Sequence, residues 1–413
     1  MPPISPQPTR AASPADARVR RVVVLGCAGS IGTQTLDAIR HINGLHDRGR
    51  FPHRFEVVGL ATGRNVEAMI GQARSLGVTR CAIAEGSYKV EGIDLDSGPG
   101  SAERLVRETE CDLVVGAIVG VAGLPGVLAG LERGVDIALA NKETLVAAGS
   151  VVIPLARRTG ARILPIDSEH AGVWQCLMHA AGPDYAPPHE APQSVHRVTL
   201  TASGGAFRGR DPADLTDATP DEALVHPNWD MGAKVTVDSA TLVNKALELI
   251  EAHWLFGLEA DRLDAVIHPG SVVHALVSMK DGSVIAQMGT PDMRTPIMRS
   301  LTFPGVSPEP LAPLDLIGAG PLEFRPIEGS WRRAIDLGFR AIRAGGDAGA
   351  VFNAANEVAV RAFLDRRIPF GRILDIVESV CDALSPAPAE ELGSILEADA
   401  RARAHADSLV GSP

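Results

Sequence analysis

The chain lacks the features that mark disulfide-stabilised, membrane-spanning and nucleic-acid-binding proteins. Its 413 residues include only five cysteines, an odd number without a C-x-x-C pair, which argues against a disulfide framework or a cysteine zinc site. No apolar run is long enough to cross a bilayer. The net charge is −11 and no long basic run occurs, which argues against nucleic-acid binding. We therefore expect a protein with reduced thiols in the cytoplasm, without nucleic-acid or membrane partners.

The remaining composition is that of ordinary globular domains. Hydrophobic residues make up 45% and charged residues 22%, and the length suffices for two or three domains. Residues 1–20 are rich in Pro, Ala, Ser and Arg and lack the apolar core of a secretory signal. A targeting peptide could have this composition, but the segment is short, and we expect a disordered extension.

A glycine-rich turn follows the first predicted strand, residues 21–25, and precedes a helical pattern at 35–39. This order of strand, turn and helix can place a pyrophosphate on a helix N-terminus. The glycines have the spacing G-x-x-G-x-x-G and not G-x-G-x-x-G, so a plain tight turn is the alternative. The residues of the turn are Gly26, Cys27, Ala28, Gly29, Ser30, Ile31 and Gly32.

A second predicted strand, residues 55–61, ends near Gly63, Arg64 and Asn65. The acid that usually binds the ribose hydroxyls of NAD at this strand end is absent. Arg64 stands there instead, and its guanidinium would suit a 2′-phosphate, which favours NADP(H) over NAD(H). An ordinary surface arginine is the alternative.

Further strand-like runs at 80–84, 113–118 and 136–140 alternate with helical patterns, which predicts a parallel, doubly wound sheet. Asn141, Lys142 and Glu143 follow the last of these runs, where loops build the crevice of such sheets. We expect Lys142 to meet cofactor or substrate oxygens there; the alternative is a solvated lysine.

A D-x-E motif follows the apolar end of another strand, Ile163-Leu164. On an extended chain Asp167 and Glu169 would point to one side, with Ser168 turned away. Two such oxygen ligands suit Mg²⁺ or Mn²⁺. The alternative is a solvent-exposed loop, in which the same residue types are common. A helix is predicted to follow at 172–180.

Two later segments have the composition of ligand-binding loops. A strand at 197–201 ends in a small-residue turn, where backbone N–H groups and the Ser203 hydroxyl could bind an anion. The segment 224–234 has neither helical nor strand periodicity, which is typical of a loop that closes over a ligand. Trp229 and Met231 would provide its apolar cover; the alternative is that Trp229 packs in the core.

A long helix is predicted at 240–256, with Asp238 or Ser239 as its N-cap. Its polar face carries an amide, an ammonium and a carboxylate within about one turn. A solvated face with a Lys245–Glu248 pair would explain this pattern. Beside the D-x-E motif, however, Glu248 could be a third metal ligand. The residues that could hold a phosphate are Ser239, Asn244 and Lys245.

The rest of the chain predicts a short strand at 265–267, a hairpin of 272–279 with 281–288 across an Asp-Gly turn, and a helical C-terminal region. His268 would be catalytic or an ordinary loop histidine. The predicted C-terminal helices are 331–344, 352–364, 371–384 and 389–409.

Seven stretches in order along the chain resemble the 1-deoxy-D-xylulose 5-phosphate reductoisomerase family. The long central block is highly specific, and the resemblance spans residue 26 to about residue 360. The stretches are GCAGSIGTQTL, ALANKETLV, LPIDSEH, TASGGAF, HPNWDMGAKVTVDSATLVNKALELIEAHWLF, GTPDMRTPIMRSLTFP and FNAANEVAV.

The resemblance implies an NADPH-dependent enzyme of non-mevalonate isoprenoid biosynthesis. It would convert 1-deoxy-D-xylulose 5-phosphate to 2-C-methyl-D-erythritol 4-phosphate with Mg²⁺ or Mn²⁺, or with Co²⁺, as a homodimer that fosmidomycin inhibits. The implied fold is α/β, with a Rossmann-like NADPH-binding domain, an α+β catalytic domain and a small helical domain. The corresponding divisions are 1–20 (extension), 21–165, 166–303, 304–330 (linker) and 331–413.

The resemblance also assigns residues to roles. The implied metal ligands are Asp167, Glu169 and Glu248, with Lys142 and His226 added to the catalytic set. The implied substrate contacts are Lys142, Ser168, Glu169, Ser203, His226, Trp229, Met231, Ser239, Asn244, Lys245, Glu248 and His268. The implied NADPH contacts are the glycine turn 26–32, Gly63, Arg64, Asn65, Asn141, Glu143 and Gly232. Because Ser168 would contact substrate, the chain is expected to bend at Asp167.

Some positions depart from the family pattern. Cys27 and Ala28 replace Ser-Thr in the glycine turn, which removes two hydroxyls and predicts weaker NADPH binding. None of the departures removes a metal ligand or a phosphate contact. Besides Cys27 and Ala28, the departures are Ala171 and Gly172 after the D-S-E-H motif, Ala206 after the Ser-Gly-Gly turn, and Gly270 in place of a glutamine.

Two other functions compete with this prediction. A plain NADP-dependent dehydrogenase would explain residues 21–150 but would leave Glu248 and the phosphate contacts without a role. A sugar-phosphate sensor that kept the pocket would be non-enzymatic, and the intact Asp167, Glu169, Glu248 and Lys245 argue against it.

Overall fold

The computed structural model describes residues 18–306, 308 and 311–411. Most of the predicted extension, residues 1–20, therefore lies outside the described residues. The described chain forms two sheets with helices packed around them.

The first sheet is parallel throughout and has the order β4-β3-β2-β1-β5-β6-β7. Its central strands are buried valines and leucines, as expected for a sheet with helices on both faces. The order reverses beside β1, so the loops after β1 and β5 diverge and open a crevice at the carboxyl edge. The strands are β1 (Val19–Leu25), β2 (Arg54–Thr62), β3 (Arg80–Ile83), β4 (Asp94–Ser97), β5 (Leu113–Gly116), β6 (Asp136–Leu139) and β7 (Ile163–Pro165).

The helices between these strands confirm the predicted α/β alternation. Strand β4 was not predicted, because its Asp-Leu-Asp-Ser sequence lacks an apolar run. The helices are α1 (Ser30–Asp47), α2 (Val66–Leu76), α3 (Ser101–Glu108), α4 (Leu124–Glu132) and α5 (Lys142–Thr159).

Helix α6 (Ser168–Ala181) corrects the prediction for the D-x-E motif. The chain turns at Asp167, which is the N-cap residue with φ −58° and ψ 135°, and Glu169 lies in the first helical turn. The motif is therefore not an extended strand, and the helix begins four residues before the predicted Gly172. The expected bend at Asp167 is confirmed.

The second sheet is mixed and has the order β11-β10-β8-β9-β12. Strand β8 runs parallel to β9 and antiparallel to β10, and β10 with β11 forms the predicted hairpin. Helix α6 packs on this hairpin and so joins the two sheets. The strands are β8 (Val195–Ala202), β9 (Leu263–Ile267), β10 (Val273–Met279), β11 (Val284–Met288) and β12 (Arg325–Pro326).

The predicted helix 240–256 is wrong at its N-terminal end. The chain forms two helices that meet at Leu242, which has a left-handed φ of 62°. Asp238 and Ser239 lie inside the first of them and do not cap the second. The helices of this region are α7 (Pro220–Ala223), α8 (Ala233–Ala240), α9 (Val243–Phe256) and α10 (Arg294–Thr302).

The four predicted C-terminal helices are confirmed, with ends shifted by a few residues. Helix α12 packs against α5 of the first layer, and α11 packs against α9. The helices are α11 (Arg332–Ala344), α12 (Ala348–Leu364), α13 (Arg372–Ala383) and α14 (Leu392–Val410).

Substitution of Gly349 should destabilise the protein, because a Cβ atom there would overlap the Val146 carbonyl oxygen of α5. Backbone cannot yield as a side chain can, so we expect Gly349→Ala to lower the free energy of unfolding by about 1–3 kcal/mol. Urea denaturation would measure this. Gly71→Ala on α2 is the matched control, since no atom in the described part of the chain lies within 4 Å of its added methyl group. The control should be neutral or stabilising by up to about 1 kcal/mol, and equal losses in both variants would contradict the packing argument.

Candidate active site

A cavity of about 380 Å³ lies where the carboxyl edge of the parallel sheet faces α6, α8 and α9. Most residues predicted for a site line this one cavity, although they come from distant parts of the chain. These residues are Gly29, Ser30, Ile31, Asn141, Lys142, Glu143, Asp167, Ser168, Glu169, Ser203, His226, Trp229, Met231, Gly232, Ser239, Asn244, Lys245 and Glu248.

Three carboxylates converge on the floor of the cavity. Asp167 and Glu169 come from the start of α6, and Glu248 comes from α9. One oxygen of each lies within 4.8 Å of the others. The Glu248 side chain is almost fully buried, and those of Asp167 and Glu169 are about 15% exposed. Three hard oxygen donors at this spacing fit a divalent cation such as Mg²⁺.

Two buried ammonium groups neutralise part of this charge. Lys142, the first residue of α5, contacts Asp167 and lies 3.2 Å from a Glu248 oxygen. Lys245 donates to Glu169 at 2.6 Å and also contacts Glu248. Burial by itself lowers the pKa of both lysines, but the surrounding carboxylates raise it by more, and both stay charged. Although burial acts against it, the Lys245 ammonium also keeps the pKa of Glu169 well below its usual range.

A fourth carboxylate, Glu251, lies behind the other three. Its oxygen is 3.8 Å from the Lys142 ammonium, and burial raises the pKa of Glu251. Behind the cluster, His170 Nε2 lies 2.8 Å from the Glu248 carbonyl oxygen, which can only accept, so Nε2 donates. Glu251 was missed at the sequence level; its position three residues after Glu248, on the same helical face, was the available signal.

The loop 224–232, here called the lid loop, is folded around the His226 ring. His226 Nδ1 accepts the backbone N–H groups of Asn228 at 3.1 Å and Trp229 at 2.9 Å. Nε2 lies 2.9 Å from the Ser203 hydroxyl. A neutral ring therefore carries its proton on Nε2. The ring joins the lid loop to the small-residue turn after β8.

Lys234 was missed by the sequence analysis. It follows the lid loop in α8 and lies 3.3 Å from Glu143 of α5 and 3.0 Å from Asp238. Asp238 is fully buried and accepts a hydrogen bond of 2.8 Å from Asn356 of α12. Helix α8, which follows the lid loop, is thus anchored to both α5 and the C-terminal helix α12.

The glycine turn 26–32 opens α1, and Gly29, Ser30 and Ile31 reach the cavity. Gly26 has φ 86°, and a Cβ on Gly32 would overlap the Gly26 carbonyl oxygen, so both positions need glycine. Cys27 is fully buried, and burial raises the pKa of its thiol to about 12. The predicted cofactor residues that do not line this cavity are Gly26, Cys27, Ala28, Gly32, Gly63, Arg64 and Asn65.

His268 does not line this cavity, and its role as a substrate contact stays a prediction. The ring is buried and stacked on Phe324, with 4.7 Å between ring centroids. Nδ1 donates to the Glu323 carbonyl oxygen at 2.7 Å, and Nε2 accepts from the Val272 N–H at 3.3 Å. His268 therefore orders the loop that carries Ser271 into the cavity.

Acidification should loosen the lid loop through His226. Burial, and secondly Arg208, lower the pKa of His226 below its ordinary value of about 6.5. The neutral ring therefore stabilises the folded loop above pH 6.5, and this contribution is lost as the pH falls through the lowered pKa. We expect the Trp229 emission, taken as the difference between the wild type and Trp229→Phe, to shift to the red below pH 6.5. His226→Asn has no titrating ring, so the same pH-dependent shift in that variant would contradict the assignment.

Comparison with known proteins gives one consistent result. Sequence models of the 1-deoxy-D-xylulose 5-phosphate reductoisomerase family match residues 22–149, and those of its C-terminal domains match 163–256 and 288–405. The reductoisomerase of Bordetella avium is 41% identical over 94% of this chain and 98% of its own length. That of Desulfitobacterium hafniense strain DCB-2 is 44% identical over 95% and 100%.

Solved structures agree with the sequence comparison. The reductoisomerase from Zymomonas mobilis in complex with NADPH superposes with a TM-score of 0.85 at 36% identity, covering 96% of this chain and 100% of that one. A reductoisomerase in complex with NADPH, fosmidomycin and magnesium gives 0.87 at 36% identity, covering 95% and 98%. Within the described residues, no helix is long and apolar enough to cross a membrane. On these matches, which span nearly the whole chain, the protein belongs to the 1-deoxy-D-xylulose 5-phosphate reductoisomerase family.

Proposed function

We propose that this chain catalyses the NADPH-dependent reductive isomerisation of 1-deoxy-D-xylulose 5-phosphate to 2-C-methyl-D-erythritol 4-phosphate, using a divalent metal. The reaction belongs to non-mevalonate isoprenoid biosynthesis. The observation that best supports this proposal is that one cavity is lined by the carboxylates of Asp167, Glu169 and Glu248 and also by residues of the glycine turn that opens α1. The proposed metal ligands and part of the proposed dinucleotide site therefore face the same cavity.

Asp167, Glu169 and Glu248 are the proposed ligands of Mg²⁺ or Mn²⁺. Their three carboxylates face two ammonium groups, so the cluster can take further positive charge. A relative of known structure holds magnesium together with fosmidomycin. When bound, the ion supplies Lewis-acid polarisation and a template for substrate oxygens.

The phosphate of the substrate is proposed to lie between Ser203 and the α8–α9 junction. Ser203 and His226 approach from the lid side, and Ser239, Asn244 and Lys245 from the helices. Asn244 Nδ2 donates to Glu248 at 2.5 Å and is the group of this side chain that could donate to a phosphate oxygen. A phosphate held at a distance from the reacting carbons provides binding free energy for orientation and for closure of the loop.

Lys142 and Ser168 are proposed to bind substrate oxygens beside the carboxylates. The Ser168 hydroxyl donates to Glu169 at 2.5 Å and faces the cavity from the first turn of α6. Trp229 and Met231 line the cavity from the lid loop, where they would exclude water from the reacting carbons.

NADPH is proposed to bind at the crevice of the parallel sheet, and it supplies the hydride when bound. The glycine turn would hold the pyrophosphate at the N-terminus of α1, with Asn141, Glu143 and Gly232 nearer the nicotinamide end. Gly63, Arg64 and Asn65 would bind the adenosine end. The absent hydroxyls at Cys27 and Ala28 leave backbone N–H groups as the main donors.

The decisive measurement is NADPH oxidation with 1-deoxy-D-xylulose 5-phosphate, with and without Mn²⁺. We expect metal-dependent turnover, and no turnover under either condition would contradict the proposed function. Glu248→Gln removes one proposed ligand charge and should reduce kcat/KM by at least about 100-fold. Its NADPH affinity should stay near that of the wild type; equal loss of both would indicate structural damage instead.

We also propose a homodimer, a cytoplasmic location and the domain division 21–165, 166–303 and 331–413, with 304–330 as linker. Apolar side chains are exposed in this linker just before the edge strand β12: Leu316, Ile317, Leu322 and Phe324. Ile317 is 94% exposed, and a group of exposed apolar side chains is typical of a protein–protein interaction site.

Sedimentation velocity should give twice the chain mass of 43.3 kDa. Ile317→Asp should shift the protein towards the monomer, because a charge would be buried at the interface. Leu396→Asp, at an exposed position of α14, is the matched control and should stay dimeric. Equal effects of the two substitutions would argue against this surface. Cell fractionation beside a cytoplasmic marker would test the location.

A further inference from the structure

We infer that Glu85 limits the preference of this protein for NADPH over NADH, through its ion pair with Arg64. The inference rests on the proposed use of NADPH. The Arg64 Nε atom lies 2.9 Å from a Glu85 carboxylate oxygen. Arg64 follows β2 and Glu85 follows β3, so the pair lies at the carboxyl edge of two neighbouring parallel strands.

The backbone holds Glu85 at this place. The Glu85 N–H donates to the Gly63 carbonyl oxygen at 3.0 Å, and the Ala84 N–H donates to Thr62 at 3.1 Å. These two bonds continue the ladder between the strands beyond their ends. The backbone of Glu85 is therefore held next to Gly63, and its side chain reaches the neighbouring Arg64 from there.

This position is the one where dinucleotide-binding folds recognise the adenosine ribose. An acid at the end of the second strand accepts the ribose hydroxyls of NAD, whereas an arginine accommodates the 2′-phosphate of NADP. Here the second strand supplies Arg64 and the third strand supplies the acid. An added Cβ on Gly63 would meet no atom of the described residues within 4 Å, which leaves room for a ligand against the backbone.

The two side chains act in opposite directions on the cofactors. Their pair is solvent-exposed, with 82% of Arg64 and 61% of Glu85 accessible, so releasing the guanidinium to a ligand is easy. A 2′-phosphate carries nearly two negative charges, which Arg64 attracts and Glu85 repels. An unphosphorylated ribose instead offers hydroxyl donors that the Glu85 carboxylate can accept.

Glu85→Gln tests the inference, because it keeps the size of the side chain and removes its charge. Binding of 2′,5′-ADP and of 5′-AMP to the full-length protein, measured by calorimetry, isolates the contribution of the 2′-phosphate. We expect the Kd for 2′,5′-ADP to fall about two- to fivefold, the scale of one exposed charge pair. The Kd for 5′-AMP should stay constant or rise. Raising the salt concentration should reduce the increase in 2′,5′-ADP affinity that Glu85→Gln causes.

Two variants serve as controls. Glu132→Gln removes the acid of another exposed pair in the same layer, Arg107–Glu132 at 2.7 Å, and should change neither Kd. Arg64→Gln should weaken 2′,5′-ADP binding and abolish the gain from Glu85→Gln in the double variant.

Two results would overturn the inference: an unchanged Kd for 2′,5′-ADP in Glu85→Gln, or an equal gain for both nucleotides. If wild-type protein turns over substrate with NADPH and yet shows either result, only the role of Glu85 fails. If the wild type neither binds 2′,5′-ADP nor oxidises NADPH with substrate, the proposed function fails together with the inference.

Discussion

The buried charge cluster between the two sheets is the constraint on which the site depends. Asp167, Glu169, Glu248 and Glu251 lie together with the ammonium groups of Lys142 and Lys245. Burying any of these charges without a partner of opposite sign would cost several kcal/mol, so the carboxylates and the ammonium groups stabilise one another. The cluster has more carboxylates than ammonium groups, and it is therefore prepared for an additional cation.

The first turn of α5 connects this cluster to the other parts of the site. Asn141 caps the helix by accepting the Thr144 N–H at 2.7 Å, Lys142 enters the charge cluster, and Glu143 pairs with Lys234 at the end of the lid loop. Three successive residues thus face the nucleotide crevice, the carboxylates and the lid loop. A shift in this one turn would therefore move groups in all three parts of the cavity together.

Local patterns made most of the fold predictable. The alternation of apolar runs with helical patterns predicted the parallel sheet, and the Asp-Gly turn predicted the β10–β11 hairpin. The errors have local causes as well. Strand β4 is polar and short, and the break at Leu242 is made by a residue that normally continues a helix. The bend at Asp167 was expected only from the family resemblance, since strand alternation alone placed Ser168 away from the site.

The sequence by itself determined which binding groups are available. These are the carboxylates of the D-S-E motif, the polar face with Asn244, Lys245 and Glu248, and the glycine turn. Such motifs depend on residue type and spacing along one element, which can be read without coordinates. Only the tertiary structure decided the partners. It brought Glu251 to the cluster, joined Lys234 to Glu143, stacked His268 on Phe324, and set Glu85 beside Arg64. The physical reason is that charges interact over a few ångströms in space, and residues that are far apart along the chain approach one another only when sheets and helices pack.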